Sequence, residues 1–529
     1  MDRRTFLISL GAGAGAIGLG ACSKDSSDTA AVGVGAPSTT SSLPVPTLAK
    51  DPFTLGVASG DPDPTSVILW TRLAMAPLDG GGMGDAQVPV QWEVATDESF
   101  ATIVANGTAV ADAKWGHALH VTASGLESAT RYFYRFKVGD YTSASGRTMT
   151  TPAEKASVDR LRFGFASCQD WQSGYYNAHR DIAATENLDL LLFLGDYIYE
   201  YGAQEVGKGN TKRTHGADEA TDLAAYRNRY ALYRSDEHLQ AAQARCAWVN
   251  IWDDHEVENN YAGMQSEDPK IAPETFSSRR AAAYQAWYEH TPVRLEAPTG
   301  ADYKIYRSFA WGALATFFMT DERQYRTDQA CGDQTLKLTP ACDEVNSGGR
   351  TLMGPEQLAW LLDGLDTADT TWRVWGNEVV MTPVTVGAAI LNYDQWDGYP
   401  AERKQVLDHI KAEDITNLVV VTGDIHLAGV GDLTVGTGEA REVVATEFVG
   451  TSISSDGLLP PGTEEVVRSA VPAIKYVNSS QRGWTYCDVT AEEWITEYRM
   501  VDDNLVDGSP LQVDARFRVT PTVPGAIQL

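Results

Sequence analysis

Positive charge is scarce in this chain: 42 Lys and Arg stand against 71 Asp and Glu in 529 residues, a formal charge of −29 and a pI of about 4.6. No basic run supplies the electrostatic footprint that duplex nucleic acid requires, so no nucleic-acid-binding partner is expected. The acid excess suits a soluble protein with sites for hard cations, although most of these carboxylates are expected to be solvated surface. Cysteine is sparse as well, with six residues. Cys331 and Cys342 bracket a short polar loop and are expected to pair in an oxidising compartment. Cys246 and Cys487 sit in apolar runs and read as buried small hydrophobes. A G-x-S-x-G nucleophile elbow is missing, and His255-Glu256-Val257-Glu258-Asn259 does not complete the H-E-x-x-H of a zinc protease. No internal repeat is present.

The N-terminus reads as an address. Arg3-Arg4 precede a short Gly/Ala-rich apolar run, a pattern that resembles a twin-arginine export signal. Leu19-Gly20-Ala21-Cys22 resembles a lipoprotein cleavage box with Cys22 as the lipidated residue, and the run is too short and Gly-rich for a permanent transmembrane helix. Gly13 to Gly18 matches G-x-G-x-x-G literally, but no strand precedes it, which excludes a dinucleotide site. Export by the twin-arginine machinery, an extracytoplasmic location and a membrane anchor at Cys22 follow as expectations. Folded proteins leave by that route, often with a cofactor loaded, which favours a metal site.

Residues 23–50, rich in Ser, Thr, Ala, Gly and Pro without periodicity, read as a linker. From 51 to 152 short β-like runs (66–73, 88–96, 118–124, 130–139) are separated by turns, the pattern of a small all-β immunoglobulin- or fibronectin-like sandwich. His117 and His120 there read as ordinary strand or loop residues. After Pro152 apolar runs alternate with helical stretches at 222–242, 278–289, 355–366 and 402–412, which predicts a layered α/β domain over 153–529 with its sheet covered on both faces.

The stretch Leu188 to Gly202 organises this second part. Leu190 to Leu194 is a buried-strand run that ends at Gly195-Asp196, with Tyr199 three residues on. Asp196 is either a helix N-cap or a strand-end ligand, the place where open α/β sheets present chemistry. The other strand ends decide between these. They deliver Cys168; then Asp253, Asp254, His255, Glu256, Asn259 and Asn260; then Asp321, Arg323 and Arg326; then Asp424 and His426. Metal ligands and acid–base groups thus converge on one sheet edge. Thiolate with phenolate favours trivalent iron, while aspartates and asparagines suit calcium, magnesium, manganese or zinc beside it. Asp196 is the candidate bridge, and two ions about 3.5–4 Å apart would clamp a phosphoryl group and activate water.

FASCQ, GDYIYE, WDDHEVENNY, DERQYR, YDQWDGYPAER and TGDIH, in that order, resemble the PhoD-type alkaline phosphatases, a calcineurin-like metallophosphoesterase branch with a purple-acid-phosphatase-like Asp-x-x-Tyr element. The likeness spans residues 51 to about 520. It implies a secreted, metal-dependent phosphatase acting on mono- or diesters, with Fe3+ and calcium as cofactors and a phosphate ester as substrate. By position it implies that Cys168, Asp196, Tyr199 and His426 surround the iron, Asp196 also reaching calcium. Asp254 and Asp424 stand where the wider superfamily places its second-metal Asn and a first His. His255 falls at the outer-sphere histidine, which would protonate the leaving oxygen, or else steady a ligand. Asn259, Asn260 and Asn377 are calcium or phosphate contacts, or structural. The superfamily's isolated middle histidine has no match.

Arg323 and Arg326 could bind phosphate through their planar forks, or Arg326 could pair with Asp321. The segment from Tyr393 to Arg403 reads as a substrate-facing loop or an aromatic-anchored surface turn. The expected chemistry is direct attack by metal-activated water, with no covalent phosphoenzyme. The rival enzyme reading is a phospholipase-D-like or teichoic-acid-directed phosphodiesterase. A lipid-anchored binding protein would not need this set of strand-end ligands.

Overall fold

A computed structural model describes residues 43 to 529 apart from position 45, segments 204–212, 333–337 and 460–461, and positions 388 and 437. The expected export signal (1–22) and most of the linker lie outside the described residues. Among these residues no helix is long and apolar enough to cross a membrane.

Two mixed sheets pack face to face, with helices on the outer faces. One has ten strands and is centred on Leu161–Ala166, Leu190–Leu194 and Ala247–Ile251, which pair in parallel. The other has seven and is centred on Ala315–Met319, Trp372–Asn377 and Leu418–Thr422, again in parallel. Side-chain alternation explains the layering. Val374, Val419 and Val421 join the core between the sheets with Phe163, Leu192 and Phe317. Their neighbours Trp375, Leu418 and Val420 face outward to meet Leu358, Leu361, Val406 and Ile410 of the helices Gly354–Thr367 and Pro400–Ala412. A strand buried on both faces needs the unbroken apolar run that Leu190 to Leu194 shows.

The helical stretch expected over 222–242 is two helices, Leu223–Arg234 and Glu237–Gln243. The break is local chemistry: Asp236 accepts the N–H groups of His238 (2.9 Å) and Leu239 (3.1 Å) as an N-cap. The β-rich N-terminal part is not set apart from the sheet that follows. Its strands Val57–Gly60, Ser66–Arg72 and Ala118–Ser124 extend the ten-stranded sheet through the parallel pairs Ser59↔Ala247 and Gly60↔Trp248. The sandwich is completed by a separate sheet built on Val88–Ala95 and Arg131–Val138, packed through Val67, Leu69, Val90 and Phe136. At its opposite end the ten-stranded sheet continues as an antiparallel meander from Gly483 to Gln528. Cys331 and Cys342 form the expected disulfide, and Cys168, Cys246 and Cys487 are free and buried. His117 and His120 each bond a backbone carbonyl, those of Ala86 and Thr291.

Candidate metal centre

The strand-end residues do converge, but on the carboxyl ends of two facing sheets and not on one edge. Cys168, Asp196 and Asp253–Asp254 come from the ten-stranded sheet, Arg323, Asp424 and His426 from the seven-stranded one. A sequence pattern records which residues follow a strand; it does not record which sheet the strand joins.

Three overlapping donor groups result, each with ligand atoms within 4.8 Å of one another: Cys168, Asp196 and His426; Asp196, Asp254 and His255; and Asp253, Asp254 and Asp424. Asp196 and Asp254 each belong to two groups, the arrangement a bridging carboxylate requires. All these side chains are buried or nearly so. The backbone turns sharply to present them: Cys168 (φ 60°), Asp196 (φ 56°), Asn260 (φ 51°), Asp424 (φ 65°) and His426 (φ 52°) are left-handed, which costs on the order of 1 kcal/mol each for a residue with a Cβ. Gly195 precedes Asp196 at φ 98°, and a Cβ there would lie 2.4 Å from that of Asp253. Only glycine lets the two strand ends approach this closely.

Glu256 ties these ends together. Its carboxylate accepts the N–H groups of Asp196 (3.0 Å), Tyr197 (2.6 Å) and Asp253 (2.8 Å). The Tyr199 hydroxyl donates to Asp196 Oδ2 (2.9 Å), lies 3.0 Å from His426 Nε2 and accepts from Ser455 Oγ (2.8 Å). His426 donates from Nδ1 to the Asp456 carbonyl (2.7 Å), which leaves Nε2 as the lone-pair nitrogen a metal ligand needs. Burial holds this imidazole neutral, its pKa pushed down to about 3.

The anionic groups behave oppositely. Burial, then neighbouring carboxylates, pushes the Cys168 thiol well up; burial and then Asp196 do the same to Tyr199. Asp196 is also raised, first by burial and then by Asp254, Asp253 and Glu256 against the opposing pull of His255. Buried acids this close cannot ionise together without a counter-cation. Buried oxygens Asp196 Oδ1, Asp253 Oδ2 and Asp254 Oδ1 accept no hydrogen bond. Thiol, phenol, imidazole and unsatisfied carboxylate oxygens are together a donor set that fits metal cations.

His255 sits against this set, its ring tilted 31° to that of Tyr199 with 4.0 Å between centroids. Its Nδ1 donates to Glu200 Oε2 (2.8 Å), and Glu200 Oε1 accepts the N–H of Asn259 (2.7 Å). Burial would lower the imidazole pKa, but Asp254, Glu200 and Asp196 outweigh it and hold the pKa well above 6.5. The Asn260 N–H donates to Asp254 Oδ2 (2.6 Å). The Asn259 side-chain amide nitrogen donates to Glu267 Oε1 (2.8 Å). Asn377 is structural, donating to Val379 O and to Thr422 Oγ1 (3.0 Å) and accepting from Trp396 Nε1 (3.1 Å).

The arginines hold the acids of the site. Arg323, fully buried, pairs with Asp253, Asp394 (2.8 Å), Asp424 (3.4 Å) and Asp254 (3.7 Å). Arg326 pairs with Asp394 (2.6 Å) and not with Asp321, which is taken by the Gln324 side chain (2.9 Å) and by backbone N–H groups. Its Nη2 is buried without a partner. The segment from Tyr393 to Arg403 is no exposed loop: Asp394, Trp396, Asp397 and Tyr399 are buried, and Gln395 donates to Asp424 Oδ2 (2.6 Å). Glu200 and Gln395 lie within the motifs GDYIYE and YDQWDGYPAER but carried no signal for these contacts, and Ser455 lies outside every motif, because a second layer of contacts has no fixed spacing.

Residues 163–498 match the profile of the PhoD-like phosphatase family, and residues 38–152 that of the PhoD-like phosphatase N-terminal domain. Alkaline phosphatase D of Bacillus subtilis (strain 168) is 45% identical over 481 residues, 89% of this chain and 81% of that protein. A solved structure described as that of PhoD superposes with a TM-score of 0.88 at 44% identity, covering 92% of this chain and 93% of the other.

Proposed function

The chain belongs to the PhoD-like phosphatase family, and from that premise we propose that its strand-end cluster is the centre at which it hydrolyses phosphate esters. The observation that carries the assignment is the convergence of three donor groups around buried carboxylate oxygens that accept no hydrogen bond. Cys168, Asp196, Tyr199 and His426 would hold a trivalent iron, since thiolate and phenolate both donate charge to it. Asp196, Asp254 and Asp424 would hold calcium, an oxygen-preferring cation. Bound there, the cations supply charge neutralisation at phosphorus and activation of water.

The chain's own groups do the rest. Glu200 fixes the His255 ring by holding Nδ1–H, so Nε2 is the nitrogen that can protonate the departing ester oxygen. The His426–Asp456 bond keeps that imidazole in its ligating tautomer. Arg323 and Arg326 hold Asp253, Asp394 and Asp424 in place and act through them. The paired arginines at the N-terminus and Cys22 support twin-arginine export and a lipid anchor.

Metal analysis together with a visible spectrum tests the centre. Iron with a broad charge-transfer band that vanishes in Tyr199→Phe, alongside calcium, is the expected result. Zinc alone, or a metal-loaded protein whose spectrum Tyr199→Phe leaves unchanged, would remove the iron assignment. Intact hydrolysis and metal content in Asp196→Asn would remove the centre itself.

A further inference from the structure

A cleft of about 580 Å³ opens beside the metal centre, within the range of small-molecule sites. Two chains of hydrogen bonds join it to the chemistry. On one side its wall residue Asn260 donates its N–H to Asp254 Oδ2 (2.6 Å), and Gln329 braces that turn by donating to Asn260 O (2.8 Å) and Asp394 (2.6 Å). On the other, its wall residue Glu267 accepts from the Asn259 amide (2.8 Å), Asn259 N–H bonds Glu200 (2.7 Å), and Glu200 holds His255 (2.8 Å). The cleft wall is thus bonded directly to a carboxylate of the centre through Asn260 and is linked through Asn259 and Glu200 to the group placed to protonate a leaving oxygen.

The lining has a distinct chemistry. Met264 and Ile271 present apolar surface, 39% and 36% exposed, beside Pro269 and Pro273. Gln265 and Gln329 offer neutral hydrogen-bonding groups. Among the described lining residues the charged ones are Glu267 and Asp328, and none is Lys or Arg. Apolar area of this kind stabilises a hydrocarbon body, and the described wall residues offer no cation to pair with an anionic one.

We propose that this cleft seats the alcohol portion of the phosphate ester and selects an uncharged alcohol with an apolar body, as in an alkyl or aryl ester, over an anionic one. The inference rests on the phosphatase reading and adds to it the class of leaving group.

The test uses the full-length, metal-loaded protein and three esters whose alcohols have similar acidity: ethyl, 4-phenylbutyl and 3-carboxypropyl phosphate, as monoesters and as methyl diesters. The parent is expected to favour the phenylbutyl over the ethyl ester by at least about fivefold in kcat/KM and to disfavour the carboxypropyl ester, as pocket contacts of this size allow. Met264→Trp, which fills the cleft, abolishes the phenylbutyl preference; Ile271→Trp repeats the test from another segment, so that a folding defect in one does not decide it. Met264→Lys raises the relative rate on the carboxypropyl ester. A parent preference below about fivefold, or one that survives both tryptophan variants, overturns the proposal while leaving the phosphatase reading intact. A parent that hydrolyses none of the esters overturns both.

Discussion

Replacing Arg323 with methionine removes the one guanidinium shared by four buried carboxylates, and its consequences can be worked out from the geometry. Asp254 is pushed up by burial, yet Arg323 more than offsets this and, with His255, holds its carboxyl well below the usual carboxylate range. Asp394 keeps Arg326, but Asp253 and Asp424 lose their arginine partner. Breaking a buried ion pair from one side costs about 3–5 kcal/mol, so Arg323→Met should lower metal-free stability by that amount at pH 7.5. The pH dependence has a definite sign. A depressed carboxylate pKa contributes stability that is fully present above the unfolded value of about 3.9 and is lost only as pH falls below it through the depressed folded value. In the variant the carboxylates are raised instead, so the deficit is greatest above neutrality and shrinks toward pH 5, where protonation removes their repulsion. Calcium should restore much of the loss by standing in for the missing charge, because a ligand that binds only the native state stabilises it. Urea denaturation at pH 7.5 and 5, with and without calcium, checks each step. A deficit below about 1 kcal/mol, or one that widens toward pH 5, would refute the electrostatic account.

Glu200→Gln should slow hydrolysis of alkyl esters far more than of nitrophenyl esters, because only a poor leaving group needs the proton that a well-held His255 delivers; equal losses on both would contradict this. His179 is buried and its pKa is pushed down to about 3, so in the native state it must stay neutral. Stability should therefore fall as pH drops below about 6.5, by roughly 2 kcal/mol at pH 5, and His179→Gln should flatten that dependence in denaturant titrations. Asp236→Ala removes an N-cap that also pairs with Arg213 and should lower stability by about 1–2 kcal/mol; a midpoint unchanged in thermal melts would count against the capping role.

Much of this protein is set by its local sequence. The run from Leu190 to Leu194 read as a buried strand and is one, and the short β-like runs before Pro152 and the alternation after it marked the two kinds of layer. The donor-bearing turns were legible because thiol, phenol, carboxylate and imidazole groups recur at strand ends, where Cys168, Asp196, Tyr199, Asp254, Asp424 and His426 stand. Tertiary structure alone decided the rest. Periodicity says which face of a strand is buried but not against what, so two facing sheets and one covered sheet read alike until the strands pair. For the same reason the β-rich N-terminal part read as separate, although Ser59 and Gly60 pair with Ala247 and Trp248 across nearly two hundred residues. The arginines misled in the same way: Arg326 lies five residues from Asp321, yet its carboxylate partner is Asp394, brought beside it by packing. A hydrogen-bond partner depends on distance in space, and no spacing along the chain encodes the distances that set Glu200 on His255, Gln395 on Asp424 or Arg323 among its acids.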